Sequence, residues 1–261
     1  MVMLSKNKMQ FIQSLHLKKN RLEINQFLAE GEKIVEGLLQ SDFEIEIICA
    51  TPKWIEANKI LLKPVLHLVE TVDESMLKRI STLSTPNNVL ALAKCKQPLF
   101  DYNLIEKQLV LILDDINDPG NLGTIIRVAE WFNISTIICS EKTVELYNPK
   151  TVQSTMGSVF KVNVFYRNLD AFIPEYIKTT GNFVYAAVID GSDLYKKHLH
   201  SNAAIVIGSE SHGISKHLLK SIPEKITIPS FQTTASVDSL NAAVATGIIV
   251  SEFKRRMDIG L

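Results

Sequence analysis

Leu109-Val110-Leu111-Ile112-Leu113-Asp114-Asp115-Ile116-Asn117-Asp118-Pro119-Gly120-Asn121 is the stretch that decides the fold. Its first five residues form a continuous apolar run of strand length. Two aspartates and a turn rich in Asn, Asp, Pro and Gly follow, and then a helical pattern through Phe132. A strand apolar on both faces needs cover on both faces, the signature of a parallel sheet rather than a half-wet antiparallel one. Working outward, strand candidates recur at Thr136–Cys139, Val162–Phe165, Val184–Ile189, Ala204–Ile207 and Lys225–Ile228, with helical segments between most of them. Alternation of this kind predicts an α/β domain over residues 108–261, with helices on both faces of a parallel sheet.

Toward the N-terminus the grammar is looser. Ser5–Leu22 is compatible with a helix whose apolar face holds Phe11, Ile12, Leu15 and Leu22, and Glu32–Gln40 continues in that style. Strands are expected at Ile45–Cys49, Leu66–Val69 and Val89–Ala93, with Thr71 or Asp73 as the N-cap of a further helix. These make a small α/β domain over residues 1–96. The apolar pattern lapses near Lys96-Gln97-Pro98-Leu99, and Pro98 holds Gln97 extended, so residues 97–107 are read as a linker.

The 261 residues are 46% hydrophobic and 21% charged, which excludes collagen-like, disulfide-scaffold and wholly disordered chains. No stretch of 18 apolar residues suggests a membrane span, and Met1–Lys8 lacks the apolar core of a signal peptide. Cys49, Cys95 and Cys139 lie far apart in apolar runs, without metal-ligand spacing. They are expected as buried reduced thiols in a cytoplasmic protein, with no metal site. Lys plus Arg and Asp plus Glu each total 28, so bulk positive charge does not announce a polyanionic partner. The sum hides an asymmetry. Residues 1–96 carry 13 basic and 11 acidic groups, and residues 1–22 hold Lys6, Lys8, Lys18, Lys19 and Arg21 with no acid. That run is either a solvated face or a phosphate-contacting arm, with Lys18, Lys19 and Arg21 as the candidate contacts.

Three segments are candidates for chemistry. Asn117–Arg127 follows a strand and opens a helix, the place where ligands sit in open α/β sheets. Asn121 belongs at the turn and Arg127 nearly two turns into the helix. Ile205–Ile214 runs from a strand into Gly208, Glu210 and Gly213; His212 in that loop has no partnering ligands. Ile226–Asn241 passes Ile228-Pro229 and reaches Ser239-Leu240-Asn241, where Ser239 and Asn241 either cap the last helix or serve a site. Each segment alone also reads as turn, loop or cap. Neither a dinucleotide fingerprint nor a phosphate-binding Gly-Lys-Ser/Thr loop occurs, which argues against an oxidoreductase or a kinase.

In combination, Asn-x5-Arg after a strand, then Gly-x-Glu-x-x-Gly, then Ile-Pro followed by Ser-Leu-Asn, resembles the SpoU/TrmH family of RNA ribose 2′-O-methyltransferases in the knotted SPOUT superfamily. Arg21 with Phe27–Glu36 resembles the ribosomal-protein-like RNA-binding domain fused to many members, and Asn148–Gly157 resembles another family segment, so the likeness spans nearly the whole chain. It implies a deep trefoil knot in the C-terminal domain and S-adenosylmethionine held there by Gly208, Ile228 and Leu240. It further implies a constellation of Asn121, Arg127, Glu210, Ser239 and Asn241, and a homodimer whose interface completes the site. The expected substrate is RNA: large-subunit rRNA at a guanosine, with tRNA as the alternative. Two departures stand out. Pro229 and Ser239 are ten residues apart without a glycine between them, with Thr233–Ser236 as the apparent excess. Gln153 stands where relatives often carry a basic residue. The lengthened loop leaves open a non-catalytic RNA-binding factor on the same fold.

The implied chemistry needs a ribose hydroxyl to lose its proton as it attacks. A guanidinium stays protonated in proteins, so Arg127 serves most simply by gripping the neighbouring phosphate and stabilising the developing alkoxide. Acting as the general base itself would require it to surrender that proton.

Overall fold

The computed structural model describes residues 4–231 and 239–259. The chain forms two compact units. One comprises the chain up to Gln97 together with Glu145–Lys161; the other comprises Pro98–Val144 and the chain from Val162 onward. Glu145–Lys161 thus lies within the second half of the sequence yet packs in the first unit.

The first unit is built on a four-stranded sheet of β1 (Gln26–Glu30), β2 (Ile45–Ala50), β3 (Val69–Thr71) and β4 (Val89–Lys94), in the order β1-β4-β2-β3. β4 is antiparallel to β1 and β2, and β3 is parallel to β2. Its core gathers Ile12, Leu15, Leu28, Cys49, Leu77, Ile80, Leu90 and Leu92. The expected first helix is two helices, Lys6–Ser14 and Lys18–Ile24. The break falls where Arg21 Nη1 takes the carbonyls of Leu15 and His16, at 2.8 and 2.9 Å. Of its expected apolar face, Ile12 and Leu15 are buried, whereas Phe11 and Leu22 are exposed. Asp73 is the N-cap expected of it, accepting from the Met76 N–H at 2.8 Å. Leu66–Val69 is not a strand. Pro64 starts a 3-10 turn over Lys63–Leu68, and the strand begins only at Val69.

The second unit carries six strands, all parallel: β5 (Val110–Asp114), β6 (Thr136–Ser140), β7 (Asn163–Arg167), β8 (Phe183–Asp193), β9 (Ala203–Gly208) and β10 (Glu224–Thr227). Their order is β10-β8-β9-β5-β6-β7. Val110, Ile112, Ile138 and Val206 anchor the core together with Phe165, Phe172, Tyr176 and Ile214. The chain runs outward from β5 through β6 to β7, then returns to the far side for β8 and fills the gap with β9. The β5–β9 junction is therefore the point where strand order reverses, and the crevice beyond the strand carboxyl ends there is where such sheets receive ligands. β8 is longer than expected because it detours. Its residues 185–186 and 192–193 pair with β10 while the intervening residues bulge outward. Among the described residues, no helix is long and apolar enough to cross a membrane.

Cys49 and Cys139 are buried as expected, and Cys95 is only half-buried. Burial pushes the Cys49 and Cys95 thiols up to about 12 and raises Cys139 as well. None of the three is poised as a nucleophile.

Candidate active site

The site assembles from three loops at the carboxyl end of the sheet. After β5, Asp118 caps the helix Pro119–Trp131. Its Oδ1 accepts from the Asn121 N–H at 2.9 Å, and Pro119 takes the first helical position, where a missing N–H costs nothing. Gly120 makes room for that cap, since a Cβ there would lie 2.8 Å from Asp118 Oδ1. Asn121 therefore sits in the first helical turn rather than in the preceding turn. Arg127 lies six residues on in the same helix, so the two side chains point about 120° apart at roughly 100° per residue. Arg127 is exposed, and no hydrogen bond or ion pair engages it among the described residues.

After β9 the chain folds sharply back. The Gly213 N–H donates to the Ser209 carbonyl at 2.8 Å, and Gly213 adopts φ +65°. Gly208 admits no side chain, because a Cβ would fall 2.1–2.3 Å from the backbone of Gly213 and Ile214. The loop carries Glu210 and the exposed His212, whose Nδ1 meets Ser211 Oγ. Among the described residues no cluster of His, Cys, Asp and Glu could hold a metal.

The third loop delivers Asn241, which joins the other two. Its Nδ2 donates to Asn121 Oδ1 at 2.8 Å and to Glu210 Oε1. Its Oδ1 accepts from the N–H groups of Ala243 and Val244, at 3.0 and 3.2 Å, capping the helix Ala242–Ile259. Capping and site-building, alternatives in the sequence, are one act here. Glu210 Oε1 also accepts from the Ala242 N–H at 3.3 Å, a favourable place for an anion at the positive end of an 18-residue helix.

The remaining expected residues are placed as follows. Ser239 is exposed, Leu240 is 46% exposed and Ile228, just past β10, is half-buried. Thr233–Ser236 lie outside the described residues. Lys18 and Lys19 are exposed, but Arg21 is not available to a polyanion. It is 2% exposed, forms a two-point pair with Glu145 at 2.8 and 3.0 Å, and gives Nη1 to the two carbonyls already described. A guanidinium committed in this way holds the unit together instead of touching RNA. Asp118 was missed by the residue-level reading, although Asp-Pro before a helical pattern is an N-cap signal.

A family model for the SpoU rRNA methylase family matches residues 108–251, more than half of the chain and the whole of the three-loop site. The chain belongs to the SpoU family. Ahead of that SpoU span, residues 6–91 match a second model, the MRM3-like substrate binding domain. A relative of this SpoU chain is the 23S rRNA (guanosine(2553)-2′-O)-methyltransferase RlmP of Bacillus subtilis (strain 168), 30% identical over 237 residues, covering 90% of this chain and 91% of RlmP. Among solved structures, a TrmH-family chain from Porphyromonas gingivalis is 34% identical with a TM-score of 0.82, covering 98% of this chain and all of that one. An rRNA methyltransferase from Sinorhizobium meliloti, solved with AdoMet bound, is 29% identical with a TM-score of 0.85, covering 98% and 97%.

Proposed function

We propose that this RNA methyltransferase carries the methyl group of S-adenosylmethionine to a ribose 2′-hydroxyl of large-subunit rRNA, at a guanosine. The observation that carries the reading is the Asn121–Asn241–Glu210 hydrogen-bonded cluster, set where strand order reverses in a SpoU-family sheet. The residues present suit the cofactor. Gly208 leaves backbone rather than side chain at the end of β9, and the exposed Leu240 and half-buried Ile228 offer apolar surface to an adenine. Bound there, S-adenosylmethionine supplies an electrophilic methyl group and a neutral thioether leaving group.

The chain's own groups do the rest. Asn121 and Ser239 orient the acceptor ribose, and Glu210 fixes Asn241, which fixes Asn121. Arg127 grips the phosphate next to the target nucleoside and stabilises charge on its 2′-oxygen as the hydroxyl proton passes to water. Arg127 points away from the cluster on its own helix, which favours completion of the site across a homodimer. Exposed Trp131, one turn further along that helix, offers a contact for the second copy. The first unit, with Lys18 and Lys19, binds the RNA, and the second unit, which includes the buried Ile105 of the expected linker 97–107, performs the transfer. Gly191 lies so close to the Ile226 backbone that a Cβ would meet it at 2.5–2.8 Å. That close approach belongs to the bulged β8–β10 pairing, and the trefoil knot rests on membership of the SpoU family. Free thiols suit a reducing cytoplasm.

The test is transfer of labelled methyl from S-adenosylmethionine to rRNA and to tRNA, with the product mapped. Large-subunit rRNA is expected to be labelled at one 2′-hydroxyl; labelling of tRNA alone would replace the substrate, and no transfer to either would overturn the reading. Arg127→Ala is expected to lower transfer at least about 100-fold, the scale of a lost oxyanion partner. Wild-type activity in that variant would remove Arg127 from the site.

A further inference from the structure

We infer that Asp114 is a positioning residue that clamps the Gly208–Gly213 loop from below and sets the geometry in which that loop meets S-adenosylmethionine. The inference rests on the reading of this loop as the cofactor cradle.

Asp114 ends β5, and its four strand-mates Val110–Leu113 are all apolar and buried. It is itself only 3% exposed. A carboxyl group at the end of a central parallel strand is costly to desolvate and needs a reason to be there. The reason lies on both sides of the loop. In the ladder Asp114 is the register partner of Gly208, where the loop begins. Its Oδ2 accepts from the backbone N–H of Ser215 at 2.7 Å, where the loop ends. One residue therefore holds both ends of residues 209–214.

Inside those ties the loop is tight. Ser209 and Gly213 form an antiparallel bridge, and the His212 N–H donates to Ser209 Oγ at 3.3 Å. Gly208 has backbone pressed against it and no space for a side chain. The loop then presents Glu210 to Asn241 and Ala242. Releasing Ser215 would loosen the end of the loop while leaving the β5–β9 ladder intact. A role confined to starting the short helix Lys216–Ser221 would instead leave the cofactor site untouched.

Three full-length variants separate these cases. Asp114→Ala removes the acceptor. Asp114→Asn keeps an acceptor of the same shape. Ser215→Pro removes the donor at a residue whose φ of −54° suits proline. Amide exchange across residues 203–215, calorimetric binding of S-adenosylmethionine and steady-state kinetics are measured on each. In Asp114→Ala and Ser215→Pro, exchange at Gly213 is expected to quicken and the cofactor Kd and KM to rise about tenfold or more, the scale of one hydrogen bond to a carboxylate. Protection of Ile205–Ile207 and the KM for RNA are expected to stay within about twofold, and Asp114→Asn within about threefold of wild type on every measure. Wild-type cofactor binding in Ser215→Pro, or slow exchange at Gly213 in both it and Asp114→Ala, would overturn the assignment. If Asp114→Ala does not fold, Ser215→Pro and Asp114→Asn decide. If the wild-type chain binds no S-adenosylmethionine, the functional reading falls, and exchange at Gly213 still decides whether the clamp exists.

Discussion

Asn241 concentrates two demands in one amide: its oxygen satisfies helix N–H groups and its nitrogen binds two partners from other loops. Asn241→Ala should therefore cost about 1 kcal/mol of stability as a lost cap, read by denaturant unfolding. It should also lower methyl transfer by more than that loss explains, because Asn121 loses this partner and Glu210 keeps only the Ala242 N–H of its two donors described above. Gly208→Ala is harsher. The backbone it would strike cannot swing aside as a side chain can, so cofactor binding should fall below calorimetric detection even if the chain still folds. Little of this was legible residue by residue. Asn121 and Asn241 are 120 positions apart, and no local pattern reports a contact across that span; only the likeness to a family assembled them. Arg21 shows the opposite failure. Read within its basic run it suggests phosphate, whereas its partner Glu145 lies 124 positions away and converts it into a buried strut.

Elements that are apolar throughout announced themselves. β5, β6 and β9 lie within a residue or so of their expected bounds, because burial on both faces leaves no polar positions to blur the run. β1 went unread as a strand because its last residue, Glu30, looks like surface. It is buried instead, and its carboxylate accepts from Ser81 and from both the N–H and the hydroxyl of Thr82. The C-terminal helix also carries a pH signature. Glu252 is held down to about 2, first by the hydrogen bond from Arg255 and then by that from Arg256, against the opposing effect of burial. Arg256 in turn donates to the carbonyls of Leu194 and Lys197. A lowered carboxylate contributes stability above its ordinary value of 4.5 and loses it as pH falls from there toward about 2. The stability gap between wild type and Glu252→Gln, measured by thermal unfolding, should be full at pH 7 and close across that window.

At the scale of the whole molecule, zero net charge argues only against an RNA partner held by bulk positive charge, because the sum averages two unlike halves. Binding through placed groups predicts a shallow salt dependence. The affinity for rRNA should fall less steeply with ionic strength than that of a strongly basic protein making six to ten phosphate contacts, and titration between about 50 and 200 mM salt would show it. The return of Glu145–Lys161 to the first unit has a different consequence, for modularity. Phe27 stacks on Tyr147 at 4.5 Å, Phe43 meets Phe160 edge-on at 5.2 Å, and the buried Arg21 depends on Glu145. A fragment stopping at Gln97 would strand that guanidinium without its counter-charge, a loss on the order of 3–5 kcal/mol. The first unit is therefore not a cassette that can be excised from the chain and moved. A protease nick near Pro98 should leave two pieces that co-migrate until denaturant is added, since the downstream piece carries the staple that closes the upstream fold.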